Sequence, residues 1–190
     1  MLHPVVFDVE TQYTFQEVHN DYRKLKVSVV GTYDYATGRY IAYEESELPK
    51  LFAKMEHASL LIGFNIKKFD LPVLAPYYVG DLMQFPSLDI IEEVERSVGH
   101  RLSLDDLAKA TLGAKKNGNG FMAIEYYRKK EIEKLKNYCL NDVKITKEIY
   151  DYGKKYGRLF YQSPYGKREF NVKLNVGTKQ VTAVSLSLPF

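Results

Sequence analysis

Four carboxylates and one tyrosine in this chain are spaced as a site for hard cations requires. Asp8 and Glu10 stand two apart in the apolar run Phe-Asp-Val-Glu-Thr (7–11). A strand there points both acids to one face. Asp70 closes the segment Asn-Ile-Lys-Lys-Phe-Asp (65–70), and Tyr138 and Asp142 bracket Tyr-Cys-Leu-Asn-Asp (138–142). Four residues apart on a helix, these last two lie one above the other. Divalent cations such as Mg²⁺ take oxygen ligands, and a pair of them can clamp both sides of a phosphoryl displacement.

Each fragment alone also has an ordinary explanation. Asp-x-Glu fits an edge strand with one solvated face equally well. Asp70 suits the first turn of a helix, where the macrodipole favours an acid. Asn65 could cap a turn or touch a substrate. Tyr138 and Asp142 could be a plain surface contact. Their charges flank strongly apolar neighbours (Val5, Val6, Phe7 and Val9; Leu135 and Ile145), where an unpaired, unhydrated carboxylate costs several kcal/mol. It is the three segments together, in this order, that point to one site.

The elements that must position them follow from pattern. Pro4–Val9 reads as a buried strand, followed by a polar, irregular stretch over 12–25. Lys26–Tyr35 and Arg39–Tyr43, joined by Ala-Thr-Gly (36–38), read as the next two strands of an antiparallel meander. Glu45–Met55 carries Leu48, Leu51, Phe52 and Met55 at helical spacing. Ser59–Gly63 is a short apolar strand, Leu71–Val79 a helix with Pro72 in its first turn, and Ser87–Ile90 a strand entering an acidic helix that runs to Arg96. Ser103 caps a helix ending at Leu112 before Gly113. Lys115–Gly120 is a basic, glycine-rich loop without the Gly-Lys-Ser/Thr pattern of a P-loop. Helices over Ala123–Arg128 and Glu131–Tyr152 follow. Arg158–Gln162 and Arg168–Leu174, around Ser-Pro-Tyr-Gly, complete a hairpin. This order predicts one α/β domain over 1–190, with a motif-bearing core at about 4–150 and a C-terminal extension at 151–190. Its mixed central sheet has an antiparallel meander first and parallel strands after it, flanked by helices.

Composition sets the class. The 190 residues are 45% hydrophobic and 27% charged, within the soluble globular range. No apolar run is long enough for a membrane helix, so no membrane partner is expected. The N-terminus shows no signal-peptide pattern, and the single cysteine, Cys139, can form no internal disulfide. Both favour a cytoplasmic location. Net charge is +3 but uneven: residues 1–127 hold 13 Lys+Arg against 18 Asp+Glu, and residues 128–190 hold 14 against 6. The basic part could track a phosphate backbone or could be a solvated helix surface. Sixteen tyrosines and ten phenylalanines offer faces for base stacking, although most belong to core or edge. None of the four histidines, His3, His19, His57 and His100, has metal-ligand spacing.

On these three segments the chain resembles the DEDD exonuclease superfamily, within the ribonuclease H-like fold, over roughly residues 4–150. One branch of that family has a histidine five residues before the last aspartate, where this chain has Asn137. The other has a tyrosine four before it, here Tyr138. The sequence therefore resembles the tyrosine (DEDDy) branch, which includes proofreading domains of family-B DNA polymerases, and its compact ending is similar to YprB-like proteins.

The resemblance implies a two-metal (Mg²⁺ or Mn²⁺) 3′–5′ exonuclease that releases nucleoside 5′-monophosphates from single-stranded DNA or, alternatively, trims RNA. Asp8, Glu10 and Asp142 would hold one ion, with Asp8 bridging to a second that Asp70 holds directly or through water. Tyr138 would orient the attacking water. Thr11 would contact the terminal nucleotide, with Asn65 a further substrate contact. Lys67, Lys68, Lys115 and Lys116 could meet phosphates or serve solubility alone. The resemblance also allows a polymerase or helicase partner in DNA repair, or a catalytically weak nucleic-acid-binding module.

Overall fold

A computed structural model describes residues 2–114 and 121–174. The segment 115–120, with Lys115 and Lys116, and the C-terminal stretch 175–190 lie outside the described residues.

A five-stranded sheet is ordered β3-β2-β1-β4-β5. β1 (His3–Thr11), β2 (Val27–Asp34) and β3 (Arg39–Glu44) form the antiparallel meander. β4 (Ala58–Gly63) runs parallel to β1, and β5 (Ser87–Asp89) parallel to β4. This is the mixed sheet expected from the sequence.

β1 alternates as a strand covered on both faces must. Val5, Phe7 and Val9 enter a core with Leu51, Phe52 and Met55 of α1 (Leu48–Glu56) and with Leu71 and Leu74 of α2 (Asp70–Leu74). Val6 points the other way, among residues of α3 (Ile90–Val98), α4 (Leu104–Leu112) and α6 (Ile132–Tyr156). Asp8 and Glu10 share the parity of Val6, so strand period alone places both carboxylates on the α6 side.

The approach of α6 to the sheet is set by Gly31 of β2, the residue paired with Asp8. A Cβ at Gly31 would lie 2.9 Å from Cys139 Sγ and 2.9 Å from Val143 Cγ2. The absence of a side chain lets α6 settle directly on β2. Its buried residues Leu135, Cys139, Val143, Thr146 and Ile149 mark the inward stripe, while Gly153 faces Val172 and Leu174 beyond the hairpin. α6 ends at Gly157 in the left-handed region (φ 68°), whose N–H donates to the Gly153 carbonyl at 2.8 Å.

α6 runs to Tyr156, one turn beyond the expected end at Tyr152, and two further elements differ from expectation. The helix expected over Leu71–Val79 is α2, followed by one 3₁₀ turn at Ala75–Tyr77. Pro76 has no N–H to bond four residues back, so regular α-helix stops before it. The hairpin forms from β6 (Arg158–Ser163) and β7 (Gly166–Asn171), its second strand starting directly after a tight turn rather than at Arg168. α5 (Phe121–Arg128) completes the described fold, and no helix among the described residues is long and apolar enough to cross a membrane.

Candidate metal centre

The last turn of β1 and the first half of α6 meet in a cleft of about 580 Å³ lined by Asp8, Glu10, Thr11, Tyr138 and Asp142. A register shift between Glu10 and Thr11 in the β1–β2 pairing ends regular strand geometry at this point. Cys139 sits beneath. It accepts the Gly31 N–H at 3.1 Å and faces the Asp8 carbonyl and carboxylate at 3.5 and 3.8 Å. Ligand atoms of Asp8, Glu10 and Cys139 all lie within 4.8 Å of one another.

Asp70 does not line the cleft. It is 2% exposed, and its Oδ1 accepts the Val9 N–H at 2.8 Å, between the two acids of β1. It is brought there by a turn with a specific cause. Asp89, at the end of β5, accepts the Asn65 N–H at 2.7 Å and the Lys67 N–H at 3.0 Å, and also caps α3 at Ile91. Asn65 takes the left-handed conformation (φ 69°) that asparagine tolerates best among side-chain-bearing residues. Its side-chain oxygen accepts from Arg101 at 2.6 Å, so the structure places Asn65 in the turn that delivers Asp70, outside the cleft lining. Thr11 lines the cleft but is 6% exposed, its hydroxyl donating to the Tyr13 carbonyl at 3.0 Å. Lys67 is paired with Glu92 at 2.6 Å.

Burial first, and like charge second, set the electrostatics of the group. Burial raises the Asp8 carboxyl to about 8, and the charge of Asp142 adds to the rise while Cys139 opposes it. Glu10 is pushed well up by burial, then by Asp8, Asp142 and Asp70. Asp70 rises through burial and the charge of Asp8, opposed by its backbone N–H donors. Asp142 reaches about 6 through burial and the charge of Asp105, with Tyr138 and Asn141 pulling it back. Burial and Asp142 also hold the Tyr138 hydroxyl in its protonated form. No lysine, arginine or histidine lines the cleft among the described residues. A set of buried hard oxygen donors, with no cation among the described residues of the cleft, fits divalent metal ions.

The walls were not foreseen from sequence. Phe15, Leu25 and Phe69 contribute from β1's following loop and the entry to α2, and Phe121 and Ile124 from α5. Phe15, Tyr22 and Phe69 pack edge to face at 5.0 to 6.3 Å. Arg128 of α5 is ion-paired to Glu17, tying the two walls together. Asp105 is a further carboxylate of the cleft. Its sequence signature is that of a helix N-terminal acid after the Ser103 cap, which hides it; only the position of α4 against α6 reveals it.

Comparisons with known proteins bear on the fold and the family. No curated protein matches the chain. Among solved structures, the chain is similar to the family B DNA polymerase of the hyperthermophilic archaeon Pyrobaculum calidifontis. That match has a TM-score of 0.60 at 18% identity, over 80% of this chain and 24% of the polymerase. The chain thus spans about a quarter of that protein, and the likeness is one of fold. A family model described as the RNase_H superfamily matches residues 5–153, a span that holds Asp8, Glu10, Asp70, Tyr138 and Asp142 and leaves the hairpin outside. The chain belongs to the RNase H superfamily.

Proposed function

We propose that the protein is a divalent-metal-dependent 3′–5′ exonuclease of the tyrosine (DEDDy) branch, acting on unpaired nucleic-acid ends, DNA in preference to RNA. The observation that carries this reading is the meeting of Asp8 and Glu10 with Tyr138 and Asp142 in one cleft that no lysine, arginine or histidine lines among the described residues. Asp8, Glu10 and Asp142 would hold one Mg²⁺ or Mn²⁺, and Asp8 a second, which Asp70, outside the cleft lining, would reach through water. Bound ions there supply Lewis-acid stabilisation of the phosphoryl group and an activated water.

The chain's own residues do the rest. The Tyr138 hydroxyl stays protonated across the physiological range, so it serves as a donor that orients a nucleophile rather than as a base. Apolar walls exclude water and suit the face of an unpaired base, while Thr11 steadies the end of β1 where the terminal sugar would lie. Asp70, bonded to the Val9 amide, fixes the strand that presents the two acids.

The test is digestion of 5′- and 3′-labelled DNA and RNA oligonucleotides with Mn²⁺, by the wild type and by Asp8→Ala. Laddering from the 3′ end, lost in the variant, is expected. Products that shorten from the 5′ end, or full activity of Asp8→Ala, would overturn the assignment.

A further inference from the structure

At the opposite end of α6 the surface changes character. Tyr152 and Tyr156 stack at 4.6 Å between ring centroids, and Phe160 of β6 continues the series 6.4 Å from Tyr152. Tyr156 is 49% exposed. Cations flank these rings: Lys155 lies 5.0 Å over Tyr156, Lys167 4.4 Å over Phe160, and Arg158 6.0 Å over Phe160. The β6–β7 register explains the clustering. Arg158 and Phe160 on β6 share the outer face with Lys167 and Glu169 on β7, while Leu159 and Phe170 are buried on the inner face. Glu169 is paired with Arg158 at 3.2 Å. Lys155 and Lys167 have no carboxylate partner among the described residues.

We propose that this face, the last turn of α6 with the outer side of the hairpin, is a second contact for single-stranded nucleic acid. An exposed ring, Tyr156, continued by the half-buried rings of Tyr152 and Phe160 and flanked by cations, is what a flexible polyanion carrying flat bases recognises. The charge is complementary, since Lys155, Arg158 and Lys167 stand on this face against one acid, Glu169. Fourteen residues of helix separate Asp142 from Tyr156, roughly 21 Å at 1.5 Å per residue. A strand whose end lies in the cleft can therefore rest its more distant nucleotides here. The proposal rests on the nuclease reading only for nucleic acid as the partner class.

The experiment measures binding of a fluorescently labelled oligo(dT), long enough to span α6, by anisotropy in EDTA across a salt series. Digestion of the same strand and of a dinucleotide is followed in Mn²⁺. Lys155→Ala/Lys167→Ala should weaken binding about tenfold and lower the salt slope by about 1.4, two phosphate contacts at ~0.7 each on a single strand. KM for the long strand should rise to match, with kcat and dinucleotide digestion unchanged. Tyr156→Ala should weaken binding roughly tenfold through lost stacking. Equal affinity and slope in folded variants would overturn the proposal, as would binding of phosphatidylserine vesicles in place of the oligonucleotide. Lysine-dependent binding without digestion would sink the nuclease reading and leave this face standing; digestion with lysine-independent binding would do the reverse.

Discussion

The two ends of α6 do opposite things with the same helical repeat. In its first half, Tyr138 and Asp142 face the carboxylates of β1, and burial with like charge drives the acids toward protonation. In its last turn, Lys154 and Lys155 stand in solvent, Lys155 over the exposed ring of Tyr156, and both complement the helix dipole. A polyanion is repelled by the first region unless metal ions neutralise it, and attracted by the second without them. On the proposed reading, chemistry and holding are separated along one element, and each end can be broken alone.

The largest effect should come from Asp142→Ala, which removes a carboxylate from the acidic end. Mn²⁺-dependent digestion is expected to fall about a thousandfold or more, while the EDTA-measured affinity for a long oligonucleotide stays within about twofold. A parallel loss of affinity would mean that the two ends are not separable.

Gly31→Val comes next, because it acts on the joint between helix and sheet. Its branched side chain must displace Cys139 and Val143, costing roughly 1–3 kcal/mol of stability, and activity should drop through the lifted α6. Thermal melting beside a digestion assay distinguishes this from a local lesion. An unchanged melting temperature would show that α6 does not rest on Gly31.

Tyr138→Phe should lower kcat about ten- to a hundredfold with KM little changed, since an orienting hydrogen bond is lost and the ring remains. A raised KM with intact kcat would recast the tyrosine as a substrate contact.

The smallest and most general effect is on pH dependence. Carboxyls raised in the folded state bind more protons folded than unfolded, so stability is greatest at or below their unfolded pKa near 3.8. It should fall as pH climbs through about 6 for Asp142 and about 8 for Asp8 in metal-free protein. Melting temperature in EDTA should decline over that window and flatten with Mn²⁺ or in Asp8→Asn. A flat EDTA profile would mean that neither burial nor neighbouring charge raises these acids in the folded protein.

The acidic end was more legible in sequence than the cleft around it. Asp8, Glu10, Tyr138 and Asp142 announce themselves because strand and helix periods act over a few residues. The mixed sheet was equally readable, since each strand carries its own apolar pattern. Phe15 and Leu25 were not, because they belong to a stretch without periodicity and become walls only when β1 and α2 meet. Asp105 looked like a capping-turn acid, and its effect on Asp142 exists only through the packing of α4 and α6. Asn65 shows the converse: a polar residue beside a motif whose side chain is spent on Arg101 and whose backbone shapes the turn before Asp70.

Cys139, the chain's single cysteine, has no exposed surface and lies wedged between Gly31 and Asp8. A thiol reagent can reach that sulfur only when the helix swings off the sheet. Its labelling half-life is therefore a clock for the opening motion that would disassemble the carboxylate cluster, readable without substrate, and its slowing by Mn²⁺ would time how firmly ions clasp helix to strand.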